Sequence, residues 1–172
     1  CHSSADVIVP TVRALAAQPV PSGSGYEVVL VDNNCTDGTV MAARETWKQG
    51  KTEHPLHVVK EETPGLIHAR KKGVSLARYG ILLFMDDDNI LAEDGISVLL
   101  SLYHRHPQAD AIGGRIEPRF EGEKPTWFDH VSETFACTPP GLEADLPAIR
   151  STMCGAGLSF RTRSLLSLFH SS

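Results

Sequence analysis

Short runs of apolar residues alternate along this chain with stretches whose apolar positions recur every three or four residues. The runs read as buried strands and the periodic stretches as helices laid over them, so their alternation predicts a parallel sheet flanked by helices. Residues 7–10 (Val-Ile-Val-Pro), 27–32, 56–60, 81–85 and 111–113 are the expected strands. From Thr39 the chain sets Val40, Ala43 and Trp47 at i, i+3 and i+7, with Asp37 just ahead as an N-cap. Residues 66–79 align Leu66, Ala69, Gly73 and Leu76 on one stripe and leave Arg70, Lys71, Lys72 and Arg78 to other faces. Residues 93–106 place Ile96, Leu99, Leu100 and Tyr103 at i, i+3, i+4 and i+7, while Glu93 and Asp94 suit the positive end of the helix dipole. Beyond Gly114 the alternation stops. Residues 117–150 predict loops and short helices over the sheet, before a last strand at 157–161 and the start of a helix at 164–169.

The length of 172 residues suits a single domain, with residues 1–114 as the regular half and 115–172 as a partial second half. At 41% hydrophobic and 22% charged, the chain has a globular core's composition, which excludes a disordered or collagen-like chain. Its apolar runs are only a few residues long, far short of the ~20 that cross a bilayer, and no basic segment leads into an apolar one near the start. Neither a membrane span nor a secretory signal is therefore expected. A net charge of −5 disfavours a nucleic-acid binder, which would show a basic face. The cysteines, Cys1, Cys35, Cys137 and Cys154, form no C-x-x-C pair and read as free thiols of a reducing cytoplasm. The histidines also lack ligand spacing. His104 and His106 point to different helix faces, as surface residues do.

In open α/β sheets ligands sit beyond the carboxyl ends of the strands, so the residues there carry the chemistry. They are Thr11, then Asp32-Asn33-Asn34, Glu61-Glu62 and Asp86-Asp87-Asp88-Asn89. Asp86, Asp87 and Asp88 directly follow an apolar strand, and like charges so close repel unless a cation or proton intervenes. Mg²⁺ or Mn²⁺ is the natural partner, bound by one or two carboxylates together with phosphate oxygens and water. The plain alternative is a solvated loop that caps the next helix. An EF-hand loop fails on spacing, because Ile90 stands at its fifth position and no glycine follows. Asp32 ends a second apolar strand, where an acid accepts hydrogen bonds from a ribose or base, although Asn-rich turns are also ordinary punctuation. Arg70, in the second turn of the helix opened by Pro64-Gly65, either reaches a base carbonyl or phosphate or lies on a solvated face.

Taken in order, these segments resemble the GT-A glycosyltransferases of family 2. The matching text is Val-Ile-Val-Pro-Thr at 7–11, Val-Asp-Asn-Asn-Cys-Thr-Asp-Gly-Thr at 31–39, Gly-Leu-Ile-His-Ala-Arg-Lys-Lys-Gly at 65–73, Phe-Met-Asp-Asp-Asp-Asn at 84–89 and Gly-Ala-Gly-Leu-Ser-Phe-Arg at 155–161. The resemblance implies a Rossmann-like GT-A fold, α/β with a mostly parallel sheet and helices on both faces. It also implies a nucleoside diphosphate sugar donor, UDP- or GDP-linked, a divalent Mg²⁺ or Mn²⁺ ion, and inverting transfer to a hydroxyl of a carbohydrate or lipid-linked acceptor. By position, Thr11, Asp32 and Arg70 would line the nucleoside pocket. Asp86 would lie toward the ribose and share the metal with Asp88, and Asp87 could serve either task. The Gly155-Ala156-Gly157 turn would lie beside sugar and acceptor, its glycines allowing close backbone approach. Residues 1–114 would be the nucleotide and metal half and 115–172 a partial acceptor side. The expected location is cytoplasmic, free or peripherally associated with the inner face of a membrane, with no nucleic-acid partner.

The chain departs from the family's pattern in two places. Val12 follows Thr11 at once, where a loop and most of a helix are expected, which reads as residues missing between them. No acidic motif follows the Gly-Ala-Gly strand before Ser172, so none of Asp129, Glu133, Glu143 and Asp145 is assigned as catalytic base. Two other readings stay open. One is a fragment that binds nucleotide without transferring. The other is a different nucleotide enzyme, such as a sugar nucleotidyltransferase or dinucleotide oxidoreductase, against which Pro10-Thr11-Val12-Arg13 offers no glycine-rich phosphate loop.

Overall fold

A computed structural model describes residues 1–135, 137 and 157–170. Two strands, β1 (Val28–Asp32) and β2 (Leu56–Lys60), pair in parallel, from Val28 opposite Leu56 to Asp32 opposite Lys60. Three more, β3 (Ile81–Leu83), β4 (Ala111–Gly113) and β5 (Leu158–Arg161), form a second sheet in the order β3-β5-β4, with β5 antiparallel to both neighbours. β3 runs in the direction of β1. Their amino ends meet where the Arg78 N–H donates to Glu27 at 2.8 Å, and residues 2 and 4 bridge their carboxyl ends, from Asn33 to Asp87.

Helices cover both faces of β1. On one side α1 (Ile8–Ala16) and α2 (Thr39–Gln49) bury Ile8, Val12, Ala16, Ala43 and Trp47 with Tyr26, and Val28, Leu30 and Leu56 pack against them. Each large apolar side chain buried there contributes about 1.5–3 kcal/mol. On the other side lies α3 (Leu66–Leu76), where Gly73 allows close approach: a Cβ there would stand 3.6 Å from Val31 Cγ2. α4 (Gly95–Arg105) inserts Tyr103, whose hydroxyl meets Ser159 Oγ on β5 at 3.2 Å, and α5 (Thr162–His170) follows β5. Asp37 caps α2 from one position early, its Oδ1 accepting the Thr39 N–H at 3.0 Å. Short 3₁₀ turns at Phe128–His130 and Ser132–Phe135 occupy the irregular stretch. Among the described residues no helix is long and apolar enough to cross a membrane.

Two expectations need correction. Residues 7–10 are not a strand: they open α1, whose buried Ile8, Thr11, Val12 and Ala16 recur with helical period. Pro10 sits in the first turn, where its missing N–H has no intrahelical acceptor to lose. The helix runs through Thr11 and Val12, so residues 10–13 lie within α1 and not in a loop after a strand. In α3 the expected stripe is displaced. Leu66 and Leu76 are exposed, and the inward face carries Arg70, Gly73, Val74 and Ala77. The expected 157–161 strand forms at Leu158–Arg161, antiparallel to β3 and β4.

Candidate functional site

The polar residues that end β1 and β3 border one cavity of about 800 Å³, whose lining includes Asn33, Gly65, Arg70, Asp86 and Asp87. Asn33 organises the β1 side. It is buried, its Nδ2 donates to the Glu61 carbonyl at 3.0 Å and the Thr63 carbonyl at 2.7 Å, and its Oδ1 accepts the Gly65 N–H at 2.8 Å. One side chain thus ties the end of β1 to the loop after β2 and to the start of α3. Gly65 can serve there because its φ of 125° lies where a side chain would be strained. Asp32 is held by its own turn, Oδ1 accepting the Cys35 N–H at 2.8 Å. Asn34 takes a left-handed φ of 61°, which asparagine tolerates, and donates to the Glu62 carbonyl at 2.8 Å.

On the β3 side the three aspartates diverge. Arg70 Nη2 lies 3.7 Å from Asp86 Oδ1, and its guanidinium stacks 5.1 Å from the centre of the Phe84 ring. The pair is partly solvated, with side chains 26% and 42% exposed, so it is worth about 1 kcal/mol or less. Asp87 turns toward α1: its Oδ2 accepts from Ser4 Oγ at 2.5 Å and its carbonyl from Thr11 Oγ1 at 3.1 Å. Asp88 is exposed, with Oδ1 accepting from Asn89 Nδ2 at 2.8 Å. Gly157 joins the same strand end. Its N–H donates to the Phe84 carbonyl at 3.1 Å, its carbonyl accepts the Gly114 N–H at 2.8 Å, and its φ is 68°.

The structure therefore brings Asp32, Arg70, Asp86, Asp87 and Gly157 to one end of the sheets, while Asp88 is exposed and does not line the cavity. Thr11 arrives there from a helix, buried and committed to Asp87, rather than from a strand end. Gly155 and Ala156 lie outside the described residues, as do Glu143, Asp145 and Cys154. Asp129 is ion-paired with Lys124 at 2.5 Å, and Glu133 lies in the Ser132–Phe135 turn. Among the described residues no three His, Cys, Asp or Glu side chains converge on a point that could hold a metal ion.

The sequence pattern of Glycosyl transferase family 2 matches residues 1–167. This chain belongs to that family. Glycosyltransferase family 2 relatives include two from Haloferax volcanii, a glucosyl-dolichyl phosphate glucuronosyltransferase and glycosyltransferase AglE. The first is 28% identical over 59% of this chain and 32% of its own length, the second 28% over 67% and 37%. This family 2 chain thus spans about a third of the length of the curated relatives it matches. Among solved structures, S. aureus TarS 1–349 in complex with UDP is similar at 22% identity and TM-score 0.71, over 98% of this chain and 46% of that one. Mannosyltransferase PcManGT from Pyrobaculum calidifontis, in complex with GDP-Man and Mn²⁺, matches at 23% identity and TM-score 0.71, over 98% and 44%. These likenesses give the family 2 chain a GT-A fold.

Sequence reasoning missed three features of this family 2 site. Asn33 is its most heavily bonded side chain, and the only signal was its place after a strand-end acid. Ser4 reaches Asp87 across 83 positions, which no local pattern reveals. Cys1 and Cys35, read as scattered, lie with Sγ atoms 3.3 Å apart.

Proposed function

We propose that this chain is the donor-binding half of a glycosyltransferase that moves a sugar from a UDP- or GDP-sugar to a hydroxyl of a carbohydrate or lipid-linked acceptor, with inversion and with a divalent ion. One observation supports it most: Asn33 after β1, Gly65 and Arg70 of α3, and Asp86 and Asp87 after β3, from three separate segments, border one opening at the strand ends. The second oxygen of Asp32 and the guanidinium of Arg70 suit the donors and acceptors of a base and ribose. UDP in the TarS complex and GDP-Man in the PcManGT complex support a nucleoside diphosphate as the class of donor.

Mg²⁺ or Mn²⁺ fits the donor set. Asp87 is engaged by Ser4, so this reading gives the ion Asp86, at the opening, and the exposed Asp88 as hard oxygen ligands. An ion that completes its shell with diphosphate oxygens and water needs only one or two carboxylates, so a three-residue cluster is not required. Once bound, it would supply Lewis-acid stabilisation of the charge that collects on the departing diphosphate. The protein's own residues do the rest. Arg70 holds the Asp86 carboxylate in place, Asp32 orients the nucleoside, and Gly157 lets the sugar approach the backbone next to Phe84. A lipid-linked acceptor would bring this face to a membrane surface.

Titration calorimetry with UDP and GDP, with and without Mn²⁺, tests the reading. We expect Mn²⁺ to strengthen binding about tenfold or more and Asp88→Asn to remove most of that gain. Binding indifferent to the metal, or an unchanged Asp88→Asn titration, would sink the assignment. Donor hydrolysis measured on the same samples separates a working transferase from a fragment that only binds.

A further inference from the structure

Two of the four cysteines meet beside the site. Cys1 and Cys35 stand 34 positions apart in the sequence, yet their Sγ atoms lie 3.3 Å from each other. A disulfide bond is about 2.05 Å long, so a small rotation of the side chains would bring the sulfurs to bonding distance. The backbone around them is already in place. The Cys1 nitrogen donates to the Val31 carbonyl at 2.8 Å and its carbonyl accepts the Asn33 N–H at 3.1 Å. Ser3 Oγ accepts the Thr36 N–H at 3.3 Å, the Ser4 N–H donates to Thr39 Oγ1 at 2.7 Å, and the Ala5 N–H donates to Asp37 Oδ2 at 3.1 Å. These bonds lay residues 1–5 along residues 31–39, with the two sulfurs in contact between them.

The two thiols are not equivalent. Cys1 lines the cavity of about 800 Å³ that opens at the strand ends, so a small solute reaches its sulfur. Cys35 does not line that cavity, and burial, with the Asp32 carboxylate adding to it, keeps its thiol protonated above the usual range. An oxidant entering by the cavity therefore meets Cys1 first. Cys137 is buried elsewhere, by the turn at Ser132–Phe135.

We infer that Cys1 and Cys35 form a redox-modification site, at which hydrogen peroxide or an organic hydroperoxide joins the two thiols in a reversible disulfide. The Cys1 sulfur attacks the peroxide and breaks its O–O bond. Cys1 becomes a sulfenic acid, and its thiol proton leaves on the departing oxygen as water or an alcohol. The Cys35 sulfur then displaces the hydroxyl from Cys1, the S–S bond forms, and the Cys35 proton leaves with that hydroxyl as water. Two electrons pass from the thiols to the peroxide, and a dithiol reductant returns them. In a reducing compartment such a bond is transient, as a sensor's is. The bond closes a loop of 34 positions that contains α1 and β1 and so restricts the unfolded chain. The inference does not rest on the nucleotide assignment.

The test treats the reduced protein with a small excess of hydrogen peroxide, maps unreduced peptides by mass spectrometry and measures Tm before and after. The Cys1–Cys35 cross-link should dominate the oxidised protein, dithiothreitol should reverse it, and Tm should rise by roughly 5–10 °C while it is present. Cys35→Ser should abolish both the cross-link and the gain in Tm and let Cys1 run on to sulfinic acid. Cys1→Ser should leave Cys35 a thiol at the same dose. The map of the parent chain stands whether or not either variant folds. Sulfinic acid at Cys1 of the parent with Cys35 still a thiol overturns the inference, as do pairing of Cys1 with Cys137 or Cys154 as often as with Cys35 and cross-links found only between chains. So does a Cys1–Cys35 bond that fails to raise Tm, since the folded geometry would then not accommodate it.

Discussion

Asn33→Ala removes the side chain on which the site is hung. Its amide makes bonds of 2.7, 2.8 and 3.0 Å to Thr63, Gly65 and Glu61, all from a buried position. At about 1 kcal/mol net for each bond, the loss is ~3 kcal/mol, and the carbonyls and N–H left behind keep it from being smaller. For a chain of this size, at ~2–4 °C per kcal/mol, Tm should fall by roughly 6–12 °C. Asn33→Asp sharpens the test. It keeps an acceptor for the Gly65 N–H but sets an oxygen against two carbonyl oxygens and buries a charge, so at neutral pH it should cost at least as much as alanine. Desolvation and the facing carbonyls would raise the aspartate's folded pKa above its unfolded value near ~3.9. Its penalty should therefore be full above the folded pKa and shrink as pH falls toward the unfolded one, where the protonated oxygen can donate to a carbonyl. Urea unfolding of the three proteins across pH measures all of this. An alanine variant within about 0.5 kcal/mol of the parent would refute the claim that Asn33 holds these segments together. Nucleotide affinity should fall with stability, because Gly65 anchors the helix that carries Arg70.

Other expectations follow from the same coordinates. Glu27 has a side chain only 6% exposed; burial alone would raise its carboxyl, but the Arg78 hydrogen bonds and the charges of Arg78 and His57 together hold it below its usual value. With the folded pKa below the unfolded value of 4.5, that stabilisation is complete above 4.5 and lost as pH falls through the folded value, so Tm should drop as the pH is taken below 4.5, less so in Glu27→Gln. Burial pushes the Cys35 thiol up, and the Asp32 carboxylate adds to it. Alkylation at about pH 8, followed by mass spectrometry, should be slower at Cys35 than at an unperturbed thiol, and Asp32→Asn should speed it. Gly157→Ala meets only ordinary contacts at 3.6 Å, so its cost should come from the φ of 68° alone, about 1–2 kcal/mol by chemical denaturation.

Where the sequence could be read, periodicity did the work. Val40, Ala43 and Trp47 mark α2, Ile96, Leu99, Leu100 and Tyr103 mark α4, and β1 lies where an unbroken apolar run ends in a polar cluster, with β2 on a shorter run broken by His57. Residues 7–10 misled because a run of β-branched residues that short has no measurable period. The helical spacing of Ile8, Val12 and Ala16 shows only when the window reaches past Pro10. Arg70 misled differently. A charged residue is assigned outward by pattern, yet this one points in because Phe84 and Asp86 offer its guanidinium a ring and an acid. Contacts such as Ser4 to Asp87 join residues of unremarkable type, and only the topology brings them together.

That topology also ties residues 1–5 to the site. Residues 1–5 span the carboxyl ends of β1 and β3: Cys1 bonds to Val31 and Asn33, His2 Nδ1 to the Asn33 carbonyl, the Ser4 N–H to Thr39, Ser4 Oγ to Asp87 and the Ala5 N–H to Asp37. Fixing five backbones costs about 5–10 kcal/mol, whereas these six bonds return about 6 kcal/mol at ~1 kcal/mol each. The segment is thus nearly balanced between ordered and free. While it is ordered, Ser4 keeps its hydrogen bond to Asp87 at the mouth of the cavity. A change that loosens Cys1 from β1 should therefore weaken metal-dependent nucleotide binding, read by calorimetry, without altering Asp32, Arg70, Asp86 or Asp88, and an unchanged titration would show that the order of this segment does not matter to the site.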